Sequence, residues 1–124
     1  MEINSKYQVL FYESPSGRCL AEEFLHSLPF KARVKIAKWI EKLQDYGPNF
    51  PRPYADTIRG KIRELRVIFA SKQYRFLYFF HHKYIVITHG FVKKTEEVPE
   101  SEIQRAQNMM LDFDERIKRG EIEL

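Results

Sequence analysis

The sequence predicts an α+β fold: a small antiparallel-rich sheet packed against a hairpin of helices and a C-terminal helix, in the order β-α-α-β-β-β-α. Three observations predict it. Apolar residues recur at helical spacing from Leu20 to Leu43 and again from Ile103 to Phe113, but alternate between Ile62 and Val92. Gly47-Pro48 and Pro99 mark the two changes of period. The three strand-like runs are joined by turns too short for anything but antiparallel neighbours.

Each element has its own warrant. Residues 7–12 are rich in β-formers and alternate weakly, as a first strand does. Ser14-Pro15-Ser16-Gly17 makes a turn, from which Ser16 or Gly17 caps a short helix through about Ser27, burying Leu20, Phe24 and Leu28. Pro29 suits the first turn of a second helix, where its missing N–H has no partner. That helix buries Ile36, Ile40 and Leu43 with Ala37 beside them, and exposes Lys31, Arg33, Lys35, Lys38 and Lys42. It stops at Gly47-Pro48, since glycine tolerates the left-handed exit and proline cannot continue. Residues 49–58, with Pro51 and Pro53, read as an extended loop. Strands over 62–69, 74–80 and 84–92 follow, with turns at 70–73 and 81–83. Pro99 opens the last helix, which buries Ile103, Ala106, Met110 and Phe113, and Glu100 and Glu102 suit its positive end.

A length of 124 residues fits one domain spanning 1–124. Ten Phe, seven Tyr and an apolar fraction of 44% are ample for a core. The start lacks the pattern of a signal peptide, and the longest apolar run, 76–80, is far short of the roughly 20 residues of a membrane helix. Cys19 is alone and His81 and His82 are adjacent in a turn, so neither a disulfide nor a metal site is expected. A cytoplasmic protein with no membrane, metal or cofactor requirement is the expectation. Charge is unevenly spread. Residues 59–94 hold nine Lys/Arg against Glu64 alone, and residues 95–124 hold four against nine Asp/Glu. The basic stretch suits phosphates, with the acidic tail held elsewhere on the surface, or is a solvated face that keeps the protein soluble.

Register decides which cations meet. If the 81–83 turn pairs Phe80 with Tyr84, Arg75 lies opposite His89. If the 70–73 turn pairs Phe69 with Tyr74, Ile68 lies opposite Arg75. Opposed residues share a face, as do residues two apart along a strand. One face then collects Arg66, Arg75, His89 and Lys93, with Phe91 among them and Leu77 and Ile87 as floor. The other collects Leu65, Val67, Phe69, Phe76, Tyr78, Phe80 and Val86, a core that takes the helices. Each cation alone has a plain explanation. Arg66 can pair with Glu64, Arg75 with a carboxylate of the last helix, and His89 with a backbone carbonyl, while Lys93-Lys94 can be a solvated strand end. Four on one face with almost no compensating acid repel one another unless an anion is expected.

Ile62-Arg63-Glu64-Leu65-Arg66, then Tyr74-Arg75-Phe76-Leu77-Tyr78-Phe79, then His89-Gly90-Phe91-Val92-Lys93-Lys94-Thr95 form a series with Leu28-Pro29, Gly47 and a final helix containing Ala106. Across nearly the whole chain this series resembles the phage-type, Gp49-like HigB branch of the RelE/ParE toxin superfamily. The resemblance implies a RelE-like fold and the toxin of a type II toxin–antitoxin system. It implies a ribosome-dependent endoribonuclease that inhibits translation by cutting messenger RNA, in contact with ribosomal RNA, and a HigA-like helix-turn-helix antitoxin as partner. The matching functional positions are Arg66, Arg75, Lys93 and Lys94, with His89. Such cleavage is metal-independent: the ribose 2′-OH attacks the adjacent phosphate and leaves a cyclic phosphate. Arg66 and Arg75 suit charge stabilisation, because a guanidinium fork matches two phosphate oxygens. His89, with its ordinary pKa near 6.5, or Lys94 is the proton-transfer group, with Lys93 as a third candidate. Tyr54 is expected to stack on a base, and Arg59 and Arg63 to hold RNA. Two other classes stay open: a ParE-like inhibitor that binds DNA gyrase without catalysis, and an inactive RNA- or partner-binding module.

Overall fold

A computed structural model describing residues 6–124 folds the stretch from residue 55 to 92 into four strands joined by short turns. They are β2 (Ala55–Arg59), β3 (Ile62–Phe69), β4 (Lys72–His81) and β5 (Tyr84–Val92). Ahead of them come β1 (Gln8–Phe11), α1 (Leu20–His26) and α2 (Phe30–Tyr46), and α3 (Glu100–Lys118) follows. The sheet order is β1-β5-β4-β3-β2, with β1 parallel to β5 and the other pairs antiparallel. This α+β arrangement is compatible with the RelE-like fold that the resemblance implies.

Several expectations need correction. The loop expected over 49–58 is a 3₁₀ turn, Gly47–Asn49, followed by the fifth strand β2. Both prolines of this stretch precede β2 and so remove no donor from its ladder to β3, whose register shifts once between Thr57 and Arg59, and Gly60 turns the hairpin at φ 55°. Helix α1 starts at Leu20, later than a cap at Ser16 or Gly17, because residues 14–18 close a turn in which the Arg18 carbonyl accepts from the Ser14 N–H at 2.8 Å. Its fully buried residue is Ala21, with Leu20, Phe24 and Leu28 half-buried. In α2, Ala32, Ile36 and Leu43 are buried and Ala37 is exposed. Gly47 ends α2 as expected, and a Cβ there would stand 2.2 Å from the Tyr7 ring.

The hairpins are tighter than expected. Ala70 and Ser71, at φ 50° and 66°, form a two-residue turn that pairs Phe69 with Lys72. His82 (φ 53°) and Lys83 join His81 directly to Tyr84. Arg66 therefore faces Arg75, and Arg75 faces Phe91 instead of His89. Both displacements amount to two residues, which preserves the face. In the β4–β5 pair the displacement arises in two steps. The shorter turn shifts the near half by one residue, and a bulge at Thr88 adds the second where Leu77 pairs with His89 but Tyr78 with Ile87. Val86 and Ile87 lie before the bulge and have exchanged faces relative to the expectation.

The sheet is covered on both sides, not on one. Leu65, Val67, Phe76, Tyr78, Ile85 and Ile87 pack with Ala32, Ile36 and Leu43 of α2. Ile62, Leu77, Phe79 and Val86 pack with Ala106 and Phe113 of α3. A strand buried on both faces reads as a continuous apolar run, which is why 76–80 does not alternate. Tyr12, just after β1, holds α3 in place: its hydroxyl donates to Asp112 at 2.6 Å, and Arg116 donates to the same carboxylate at 2.9 Å. Burial and the Asp112 carboxylate push the Tyr12 hydroxyl up to about 12. Among the described residues no helix is long and apolar enough to cross a membrane.

Candidate functional site

Helix α3 packs on Ile62, Leu77, Phe79 and Val86, and a cleft of about 590 Å³ opens between its N-terminus and residues of β2, β3 and β4. Its floor is built by strand register. Arg66 and Arg75 are directly opposed on β3 and β4, and Glu64, two residues before Arg66, shares their face. The Glu64 side chain is 4% exposed and joins both guanidiniums, at 2.7 Å to Arg75 Nε and 3.2 Å to Arg66 Nη2. The first contact is an ion pair whose angle falls short of a hydrogen bond. Arg75 is further held by Gln73, whose Oε1 accepts from Nη2 at 2.9 Å. Burial moves the Arg75 guanidinium below its usual range, and the Glu64 carboxylate opposes that shift. Arg66 is more open, and its Nη2 also approaches Asp56 at 3.4 Å.

Of the residues singled out in the sequence, Arg59, Arg66, Arg75 and Lys93 line this cleft. Lys94 is exposed just beyond Lys93. Arg59 lies on β2, not on a loop, and forms a two-pronged pair with Glu100 at 2.5 and 2.8 Å. Hydrogen bonds from Arg59 and Gln104 hold the Glu100 carboxyl down at about 2. His89 shares the face but lies beneath α3, 2% exposed and outside the cleft lining. Its Nδ1 is 3.0 Å from the Thr88 hydroxyl and its Nε2 is 3.1 Å from Glu102. Its pKa falls below the ordinary value chiefly through burial, with Glu102 opposing and Arg105 a lesser contributor. Arg63 points to the opposite face, where its Nη2 reaches the Pro48 carbonyl at 3.3 Å and its guanidinium lies over Phe80. Tyr54 precedes β2, and its carbonyl accepts the Arg66 backbone N–H at 2.8 Å.

The acidic segment is not held apart from the cations. Glu96, Glu97 and Glu100 line the cleft with them, because the chain returns across the sheet to begin α3. Sequence reasoning also missed Asp56, Gln73 and Glu102. Asp56 was hidden by the unrecognised strand β2, although Ile58 and Ile62 flanking Gly60 are a hairpin signal. Gln73 lies two residues from Arg75 on the same strand, a spacing that speaks only once 72–73 are read as strand and not turn, whereas Glu102 carries no local signal because its contact depends on the seating of α3. Among the described residues no three His, Cys, Asp or Glu side chains gather as metal ligands. With Arg59 taken by Glu100, the cleft offers an anion the guanidiniums of Arg66 and Arg75, the second held rigidly, and the neighbouring Lys93 ammonium.

Residues 23–111 match the family described as phage derived protein Gp49-like. That stretch runs from α1 into α3 and includes every cleft residue named above. The chain has no match among curated proteins.

Proposed function

This chain belongs to the Gp49-like family of phage-derived proteins, a family of RelE/HigB-type toxins, and from that premise we propose that it is a type II toxin that cuts messenger RNA on the ribosome. The observation that carries the reading is the opposed pair Arg66–Arg75 at the floor of an open cleft, with Lys93 beside it. A phosphate seated there meets donors that are already oriented, which is how charge developing in a transition state is stabilised without reorganisation.

In the proposed reaction the ribose 2′-oxygen attacks the adjacent phosphorus as it loses its proton. The bond from phosphorus to the 5′-oxygen breaks, the leaving oxygen takes up a proton, and a 2′,3′-cyclic phosphate remains. Arg66 and Arg75 stabilise the extra charge on the phosphate oxygens. Lys93, which lines the cleft, and the adjacent exposed Lys94 are the proton-transfer groups. His89, enclosed by Thr88 and Glu102, orients the first turn of α3 in this reading and does not touch RNA. The partner is a helix-turn-helix antitoxin.

The test is to induce the chain without its antitoxin and map messenger-RNA 5′ ends, beside an Arg66→Ala control. New ends inside translated codons are expected, lost when translation is blocked, and reduced about a hundred- to thousandfold in the control. Growth arrest by soluble protein with no new ends excludes messenger-RNA cleavage. Accumulating DNA breaks would then favour inhibition of gyrase.

A further inference from the structure

A second surface adjoins the cleft. Lys35, Trp39, Lys42 and Tyr46 fall on one stripe of α2, each three or four residues after the last. Beyond Gly47 the chain doubles back and sets Phe50 and Tyr54 against this stripe. The rings of Tyr46, Phe50 and Tyr54 stack, with centroids 5.4 and 5.5 Å apart and planes inclined by 12° and 19°. Trp39 meets Tyr54 at 6.0 Å and 75°. Phe50 is buried in the middle, but Tyr46 is 53% and Tyr54 42% exposed. The hollow between Trp39 and the stack is about 270 Å³, below the roughly 300–1,000 Å³ of drug-sized sites. The Lys35 and Lys42 ammoniums lie 5.4 and 5.6 Å from the Trp39 ring. A second hollow runs from Lys35, Trp39 and Tyr54 to Arg66 and Arg75, so the aromatic surface and the cleft floor are continuous.

We infer that this shelf is a base-stacking subsite for single-stranded RNA, holding an unpaired base next to the phosphate bound by Arg66 and Arg75. The inference rests on the ribonuclease reading for the position of that phosphate. Flat rings already stacked, cations at their rim and continuity with a phosphate-sized cationic floor are what a sequence-tolerant single-strand site requires. An apolar peptide would use the rings but leave Lys42 unmatched, Lys35 already donating to the Ile68 carbonyl. Fixing the base also fixes the 2′-oxygen of its ribose relative to the phosphate, so the shelf aligns the attack.

Trp39 is the chain's single tryptophan, and its fluorescence therefore reports on the shelf alone. The full chain is titrated with a short oligouridylate and with an abasic ribose-phosphate oligomer of the same length. Stacking predicts that the oligouridylate quenches Trp39 and the abasic oligomer does not. Tyr46→Ala and Tyr54→Ala are expected to weaken binding about five- to hundredfold, with Tyr54→Phe restoring it, because the ring and not the hydroxyl stacks. Equal responses to both oligomers would mean binding by charge alone and overturn the subsite. No quenching, with messenger RNA still cut in cells, would overturn the subsite and leave the ribonuclease reading standing. Base-dependent quenching without messenger-RNA cleavage would keep the RNA subsite and remove the reading it rests on. Shielding of Trp39 by the cognate antitoxin, with no response to RNA, would make the shelf a protein-docking surface and overturn the inference.

Discussion

Glu64 bears on two arginines at once, with almost no access to water. A buried carboxylate so placed is expensive to remove, because the buried Arg75 is left charged with no carboxylate against it. Glu64→Ala is expected to lower stability by about 3–5 kcal/mol, read from the urea midpoint. His89 supplies a pH dependence of definite sign. Burial lowers its folded pKa, so as pH falls through the unfolded value of about 6.5 the unfolded state takes up a proton that the folded state does not. Stability should drop through that range and level off below the folded pKa. His81, lowered by burial and by His82, acts in the same direction. His89→Gln should flatten part of the urea-midpoint profile, and a slope identical to wild type would assign the whole effect to His81. The Arg66–Glu64 pair was legible in the sequence from their spacing of two residues. The Arg75–Glu64 pair was not, since it depends on which residues face each other across two strands.

Strand β5 shows how an element's register can escape the eye. Two-residue hairpin turns normally announce themselves with Gly or Asn at positive φ, but here Ala70, Ser71 and His82 occupy those positions. Without that signal the turns read as longer than they are. An L-residue in the left-handed region costs about 1–2 kcal/mol. Replacing Ala70-Ser71 with Asn-Gly is therefore expected to raise stability by about that amount, as a shift of the urea midpoint at unchanged slope. The end of β5 shows the opposite constraint. A Cβ at Gly90 would stand 2.6 Å from both the Phe24 and Phe76 rings, where α1 packs closely on the sheet. Gly90→Ala should cost about 1–3 kcal/mol by overpacking, and a neutral effect would show that the α1 contact is loose.

The sheet carries helices on both faces, and the cations line the cleft at the N-terminus of α3. If single-stranded RNA is held through the phosphate on Arg66 and Arg75 and one neighbouring phosphate, log K should fall with log salt at a slope of about −1.4. Glu96→Gln with Glu97→Gln should tighten binding, since both carboxylates border the same cleft. Equal affinity in that variant would place the RNA elsewhere. The sequence by itself determined the helices, three of the five strands of the final sheet as a consecutive meander, and the common face of Arg66, Arg75 and Lys93. That face survived because each displacement came to two residues, by the turn alone between β3 and β4 and by the turn plus the Thr88 bulge between β4 and β5, and a strand repeats every two. The strand at 55–59 is a local hairpin about Gly60; only the tertiary structure decided that His89 is sealed under α3 and that the acidic approach to α3 borders the cleft. Those outcomes depend on contacts between segments far apart in the chain, and local periodicity carries no record of them.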